Sequence, residues 1–391
     1  MPLALLSRRA PAAAALHLAR PLRVPSLILT PHARKLRPSL LSSCSSSSPS
    51  PLGPLLSFTT STVSSTMDSS SSSTATTTTT PSTGEIPVFD TIASFREWRK
   101  EMTRQNKVVG FVPTMGALHS GHLGLVQIAR QECDAVVVSI FVNPAQFAPH
   151  EDLDQYPRSF DTDYASLVAT KACSAILLPK VSEMYPSGIP LDRSQQRGAF
   201  VEVVGLSHQM EGITRPHFFR GVATVVTKLF NIVQPDRVYF GQKDAQQCVV
   251  VRTMIRDLLL PIKMRAIPTS READGLAMSS RNRYLTPEMR NVATLLHRAI
   301  SAAKKAIVEQ GASEREAILK PAHAIIDQVV EEVRTQGLPF QVRLDYLSLV
   351  DVETLTELET IGQSQAAILS GAVYVGTTRL IDNVLVHTEE L

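Results

Sequence analysis

PTMGALHSGH, running from Pro113 to His122, joins an apolar run to the start of a helical pattern through two histidines three residues apart. Upstream, Val108, Val109, Phe111 and Val112 are apolar and mostly β-branched, bounded by Pro113 and Gly116, which predicts a buried strand ending in a turn. Downstream, Leu123, Leu125, Val126, Ile128 and Ala129 keep a helical rhythm. The histidines therefore fall at a strand-to-helix junction. Free backbone N–H groups there favour anions, and in an open parallel sheet ligands sit beyond the strand carboxyl ends. His119 and His122, at i and i+3, are expected to share a helix face and donate to oxygens around one phosphorus. Gly116 and Gly121 are expected to leave room for a ligand against the backbone. As a zinc pair the histidines lack further ligands at recognisable spacing. As satisfied core histidines they would be unusual at so polar and glycine-rich a junction.

Alternation of strand-like and helical runs extends outward from this point. Strands are expected at Ala135–Val142, Ala175–Leu178, Phe200–Val204, Arg237–Phe240 and Ile262–Ile267, with the clearest helices at Gly221–Val233 and Ala245–Leu259. That order implies an α/β, Rossmann-like, doubly wound parallel sheet. Beyond Met278 two long amphipathic helices, one bearing Val292, Leu296, Ala299, Ala303 and Ile307, the next Ile318, Ala322, Ile325, Val329 and Val333, precede strand candidates at Phe340–Val350, Ala366–Val375 and Leu380–Val386. The expected organisation is a leader at 1–85, a Rossmann-like nucleotide-binding domain at 86–267 and a smaller C-terminal α+β lid domain at 268–391.

A chain of 391 residues with 43% apolar content can bury a sizeable core. Its charge is unevenly placed: Arg8, Arg9, Arg20, Arg23, Arg34, Lys35 and Arg37 precede the first acid, Asp68. Removing those seven from 39 Lys+Arg leaves 32 against 36 Asp+Glu, so the rest carries a formal −4 and offers no electrostatic footprint for nucleic acid. No run of 18 apolar residues is present, which argues against a membrane span. Cys44, Cys133, Cys173 and Cys248 stand far apart, as expected of reduced thiols in an intracellular protein. The leader is Arg-rich and acid-free before a Ser/Thr tract, Ser42–Thr83, that cannot build a core. Two readings stand: a plastid or mitochondrial transit peptide within residues 1–66, or a dispensable extension with Met67 as an internal start and a cytosolic body.

Four further constellations fall where strands should end. In FVNPAQF, the amides of Asn143 and Gln146 can hydrogen-bond a carboxylate or hydroxyls, although Asn-Pro alone also reads as a turn. In GQKDAQQ, Lys243 can neutralise phosphate oxygens, Asp244 can hold Mg²⁺ and Gln247 faces the same crevice one turn later; a solvated helix cap is the alternative. Met278-Ser-Ser-Arg-Asn282 brings Ser279, Ser280 and Arg281, groups able to close over a triphosphate. Finally RPHFFRG, Arg215–Gly221, contributes cations, or merely pairs with acids such as Glu211.

Together PTMGALHSGH, FVNPAQF, DQYPR, KLFNIVQPD, YFGQKDAQQ and AMSSRN resemble the pantothenate synthetase family, over about residues 89–391. HSGH is similar to the HxGH signature of the wider nucleotidylyltransferase and class I synthetase superfamily, and MSSR stands where that group keeps its KMSKS loop, Arg281 replacing the second lysine. The resemblance implies that Met115–His122, with Met115, Gly116, His119, Gly121 and His122, line an ATP site where His122 donates a proton and His119 assists. It further implies that Gly241–Asp244 cradle ATP with Lys243 on its phosphates and Asp244 near Mg²⁺, and that Met278, Ser279, Ser280 and Arg281 form a flexible phosphate loop. Asn143, Gln146 and Gln247 are placed on pantoate, Gln146 also near β-alanine. Where the family often reads RPGHFRG this chain has His217, Phe218 and Phe219, so a histidine role there does not carry over.

What the resemblance implies chemically is ATP-dependent joining of pantoate to β-alanine. Pantoate's carboxylate attacks the α-phosphorus, pyrophosphate leaves, and the pantoyl adenylate meets β-alanine's amine to give pantothenate and AMP, in a homodimer. An adenylyltransferase or tRNA synthetase shares HxGH, but a synthetase should add basic RNA-binding surface, and Gln146 and Gln247 suit a small hydroxy acid. A non-catalytic nucleotide sensor would be expected to lose Lys243 or a histidine.

Overall fold

In the computed structural model, which describes residues 85–148, 151 and 153–391, short apolar runs and longer amphipathic ones alternate as strand and helix. The leader's import reading and the Met67 start lie outside those residues. The order begins β1 (Val88–Phe89), α1 (Ile92–Arg104), β2 (Val109–Thr114), α2 (Ser120–Glu132), β3 (Ala135–Ile140), α3 (Phe160–Thr170), β4 (Ala175–Leu177) and the single turn α4 (Val181–Met184). A second single turn, α5 (Glu211–Thr214), leads into α6 (Phe218–Val233), β5 (Arg237–Gly241), α7 (Ala245–Asp257) and β6 (Lys263–Ile267). Then α8 (Pro287–Val292), α9 (Leu295–Val308) and α10 (Arg315–Thr335) precede β7 (Val342–Asp351), β8 (Ala367–Val375) and β9 (Thr378–Val386).

Strands β1 to β6 form one parallel sheet in the order β1-β4-β3-β2-β5-β6. Every residue of β3 is buried, as helices on both faces of a parallel sheet demand. Val222, Val225, Val226, Leu229 and Phe230 of α6 pack into the same core as Phe111 of β2 and Val238 of β5, each fully buried side chain being worth about 1.5–3 kcal/mol. The chain steps from β2 outward to β3 and β4, then returns to pair β5 against β2 at Gly110↔Arg237 and Phe111↔Val238. That reversal is a topological switch point, so the turns leaving β2 and β5 open into one crevice.

The second sheet, β7-β8-β9, is antiparallel. Ala299, Ile300 and Ala303 of α9 and Ile318, Ala322 and Val329 of α10 cover it, meeting Leu349, Leu369 and Val373. The doubly wound sheet and the smaller α+β part expected from the sequence are both present. One expected strand is not: residues 200–204 are irregular. A single threonine takes the place of a strand ladder, Thr224 Oγ1 accepting from Val201 N at 3.0 Å and donating to Val201 O at 3.3 Å, while Val204 is 85% exposed. The β-branched composition there serves a segment laid across α6.

Candidate active site

The turn after β2 is fastened from behind. Asp163, 2% exposed in the first turn of α3, accepts from Ala117 N (2.9 Å) and Leu118 N (2.8 Å). Gly116 has φ +83°, and a Cβ on it would press Asp163 Oδ2 at 3.1 Å and Ile140 Cγ2 at 3.2 Å, so this glycine faces the interior. Gly121 is likewise open for the protein's own use: a Cβ there would lie 3.0 Å from Cε1 and Nδ1 of His119. Gly116 makes space for the chain's own side chains and does not line the cleft, which corrects the expectation for that glycine, whereas Gly121 lines the cleft and also leaves room for the His119 ring. His119 does not share the helix face either. It is the N-cap of α2 with φ −132°, and its ring lies over His122 with centroids 4.1 Å apart.

Both imidazoles are half-buried, and among the described residues neither Nδ1 atom has a hydrogen-bond partner. Burial, then the nearby Lys243 ammonium, holds His119 down to about 4. Burial, then His119 itself and Lys243, holds His122 down to about 3. Near neutral pH each ring is therefore uncharged and carries one N–H donor.

Asn143 and Gln146 form an amide corner at the end of β3. Asn143 is 1% exposed, donates from Nδ2 to Gln146 Oε1 (3.0 Å) and Gly221 O (3.2 Å), and accepts at Oδ1 from Tyr185 Oη (2.6 Å) and Ala145 N (3.3 Å). Its amide is spent within the chain. Gln146 Nε2, by contrast, reaches among the described residues only the weak acceptor Met115 Sδ at 3.0 Å. The corner sits this tightly because residue 221 is glycine: a Cβ would fall 2.2 Å from Ala145 O.

After β5, a 3₁₀ turn at Gln242–Asp244 presents Lys243, whose Nζ lies 3.6 Å from Asp244 Oδ1. In the first turn of α7, Gln246 and Gln247 both line the crevice, but the Gln246 amide is engaged by Glu211 N, Leu206 O and Gln209 O. The MSSRN segment lies opposite α2. Met278 Sδ accepts from Ser120 Oγ at 2.9 Å, and Ser279 caps the 3₁₀ turn Ser280–Tyr284 by accepting from Arg281 N. Arg215 pairs with Glu151 at 2.6 and 2.8 Å instead of with Glu211. Arg220 stacks over Phe200 and His217 pairs with Arg193, both outside the crevice.

These groups surround a cleft of about 750 Å³, a volume suited to a nucleotide-sized ligand. Every residue to which the family resemblance gave an individual place in the site lines it except Gly116, while Arg220 of the RPHFFRG stretch lies outside. Three features were invisible at that level. Asp163 reads as an ordinary acid at a helix start. Arg379, which holds Glu211 at 2.6 and 2.8 Å and Asp345 at 2.7 Å, lies in a strand far along the chain. Arg271 grips Asp382, 111 residues further along the chain, at 2.7 and 2.9 Å.

Fold and cleft together define an α/β protein with a nucleotide-sized cleft at the carboxyl edge of a parallel sheet. The chain belongs to the pantoate–β-alanine ligase family, whose model matches residues 87–385. It is 46% identical over 303 residues to the pantothenate synthetase of Moorella thermoacetica, covering 78% of this chain and 99% of that one. It is 44% identical to the pantoate–β-alanine ligase of Saccharomyces cerevisiae, over 76% and 99% of the two chains. Among solved structures it resembles pantothenate synthetase from Thermus thermophilus (TM-score 0.65, 42% identity, 76% of this chain and 99% of that). It also resembles the Francisella tularensis pantoate–β-alanine ligase complexed with β,γ-ATP and β-alanine (TM-score 0.59, 29% identity, 78% and 99%).

Proposed function

We propose that this protein condenses pantoate with β-alanine, using ATP and passing through a pantoyl adenylate. The observation that carries the reading is the convergence, at one switch point, of two uncharged imidazoles, one lysine and two glutamine amides in a member of this ligase family. A relative crystallised with an ATP compound and β-alanine supports the choice of substrates.

A carboxylate cannot expel oxide when an amine attacks it, so its oxygen must first become part of a better leaving group. Pantoate's carboxylate forms a bond to the α-phosphorus as the bond to pyrophosphate breaks. Negative charge builds on the phosphate oxygens, and Lys243 with the N–H groups of His119 and His122 stabilises it, as fixed donors in a partly desolvated site do best. Met115, Gly121, Gly241, Ser279, Ser280 and Arg281 complete the nucleotide-facing wall. Gln146 and Gln247 hold pantoate; Asn143 acts through Gln146, whose amide it orients. In the second step the amine of β-alanine attacks the acyl carbon, AMP leaves and the amine loses its proton. A closed cleft protects the acyl adenylate from water.

Among the described residues no group of three or more His, Cys, Asp or Glu could hold a resident metal. Asp244, a half-exposed carboxylate at the cleft beside Lys243, would hold a Mg²⁺ ion accompanying ATP. When bound, that ion would neutralise phosphate charge. The formal −4 of the body supports partners other than nucleic acid, and among the described residues no helix is long and apolar enough to cross a membrane. Family likeness supports a homodimer, and the change from parallel to antiparallel sheet supports a boundary near 267/268 with the second part acting as a lid.

The test gives the purified full chain ATP, Mg²⁺ and pantoate, with and without β-alanine, and identifies products by mass. Pantoate-dependent exchange of pyrophosphate into ATP, and pantothenate only when β-alanine is added, are expected. His122→Ala should abolish the exchange while leaving the circular dichroism spectrum intact; a variant with wild-type exchange would refute the role of His122.

A further inference from the structure

We infer that Asn383, in the antiparallel sheet, is a positioning residue for the adenylation step, setting the turn that carries Lys243. The inference rests on the ligase reading above. Asn383 Nδ2 donates one N–H to Gln242 O and the other to Lys243 O, both at 2.9 Å, and Gln242 Nε2 returns a bond to Asn383 Oδ1 at 3.3 Å. At 2% exposure the amide cannot exchange these carbonyls for water.

Asn383 is itself held in register. Its N–H donates to Asp382 Oδ1 at 2.8 Å, and Asp382 receives both guanidinium nitrogens of Arg271, with His297 Nδ1 at 3.6 Å. Arg271 opens the hairpin that closes on Ala277 and leads straight into Met278–Arg281. Two adjacent residues of β9 thus tie down both segments that face the phosphates. A lysine ammonium is a point charge on a flexible stem, so its average position depends on where the backbone plants that stem. Lys243 stands in a three-residue 3₁₀ turn with no side-chain cap of its own, and Asn383 supplies the fixing bonds from another sheet.

The experiment compares full-length wild type, Asn383→Ala, Asn383→Asp, Lys243→Ala and the Asn383→Ala/Lys243→Ala double variant. Pantoate-dependent ATP–pyrophosphate exchange, KM for β-alanine in the full reaction and the thermal midpoint are measured for each. Both Asn383 variants should lose about 10²-fold in kcat/KM for ATP, the loss typical of a misplaced catalytic group, with an unchanged KM for β-alanine. In the Lys243→Ala background the Asn383 substitution should cost nothing further, because its effect travels through Lys243. Wild-type exchange in the Asn383 variants, equal losses in both backgrounds, or a fall of all parameters in step with the folded fraction would overturn the inference. Asn383→Asp keeps the shape and the bond from Gln242 Nε2, and carries the test if the alanine variant does not fold. Wild-type protein without pantoate-dependent exchange would instead overturn the ligase reading.

Discussion

Gly221→Ala sets two physical effects against each other. Alanine is preferred to glycine in a helix by about 1 kcal/mol, so by propensity alone the substitution near the start of α6 should stabilise the fold. The neighbourhood forbids it: the new Cβ would lie 2.2 Å from Ala145 O, 2.5 Å from Ala145 C and 2.7 Å from Gln146 Cα, all backbone. Cβ atoms essentially never approach closer than 3.0 Å, so α6 and the 144–146 turn must separate by the better part of an ångström. Overpacking of this kind costs about 1–3 kcal/mol, and the Asn143 Nδ2 to Gly221 O bond at 3.2 Å stretches with it. The net expectation is a loss of about 1–2 kcal/mol and a Tm lower by a few degrees. Because the displaced turn carries Gln146, KM for pantoate should rise more steeply than KM for ATP. Gly124→Ala is the control, since nothing lies within 4 Å of its new Cβ and propensity acts alone; it should be neutral or stabilising by up to about 1 kcal/mol. Urea denaturation and steady-state kinetics of both variants decide the matter. A Gly221→Ala protein with a raised Tm and an unchanged KM for pantoate would refute the packing argument.

Further expectations concern charge. His119 and His122, held at about 4 and about 3, bind fewer protons folded than unfolded between those values and the ordinary 6.5, so they make stability rise with pH across that window and fall as acid is added. NMR titration of the ligand-free protein should find both rings neutral at pH 6; ring pKa values near 6.5 would sink the claim. Arg379→Met should cost about 3–5 kcal/mol in urea denaturation, since it removes the cation shared by Glu211 and Asp345, 10% and 15% exposed, leaving Asp345 with the exposed Arg343 at 3.9 Å. A loss under about 1 kcal/mol would mean that the carboxylates are wetter than their geometry implies.

Local pattern was enough for most of the architecture. The apolar runs of β2, β3 and β5, the stripe on α6 and the amphipathic α9 and α10 are each written in consecutive residues, and hydrophobic periodicity records what one element buries. The failures share a cause. The 200–204 run has a strand's composition but no strand beside it, and composition cannot say whether an edge is available. Gly116 announced a missing side chain without saying whose atoms would fill the space, and Asn143 announced an amide without revealing that Tyr185, Gly221 and Gln146 would use it up.

The sequence by itself determined the parallel sheet, most of the element order and most of the polar residues predicted to share the cleft, because strand-to-helix junctions of such a sheet emerge on one edge whatever the details of packing. Tertiary structure alone decided which polar groups remain available to a ligand. Asp163 behind the histidine turn, Asn383 behind Lys243 and Arg379 between two carboxylates are contacts across many residues of chain. Hydrogen bonds and ion pairs depend on distances that only the folded chain brings within reach, and no periodicity along the sequence encodes them.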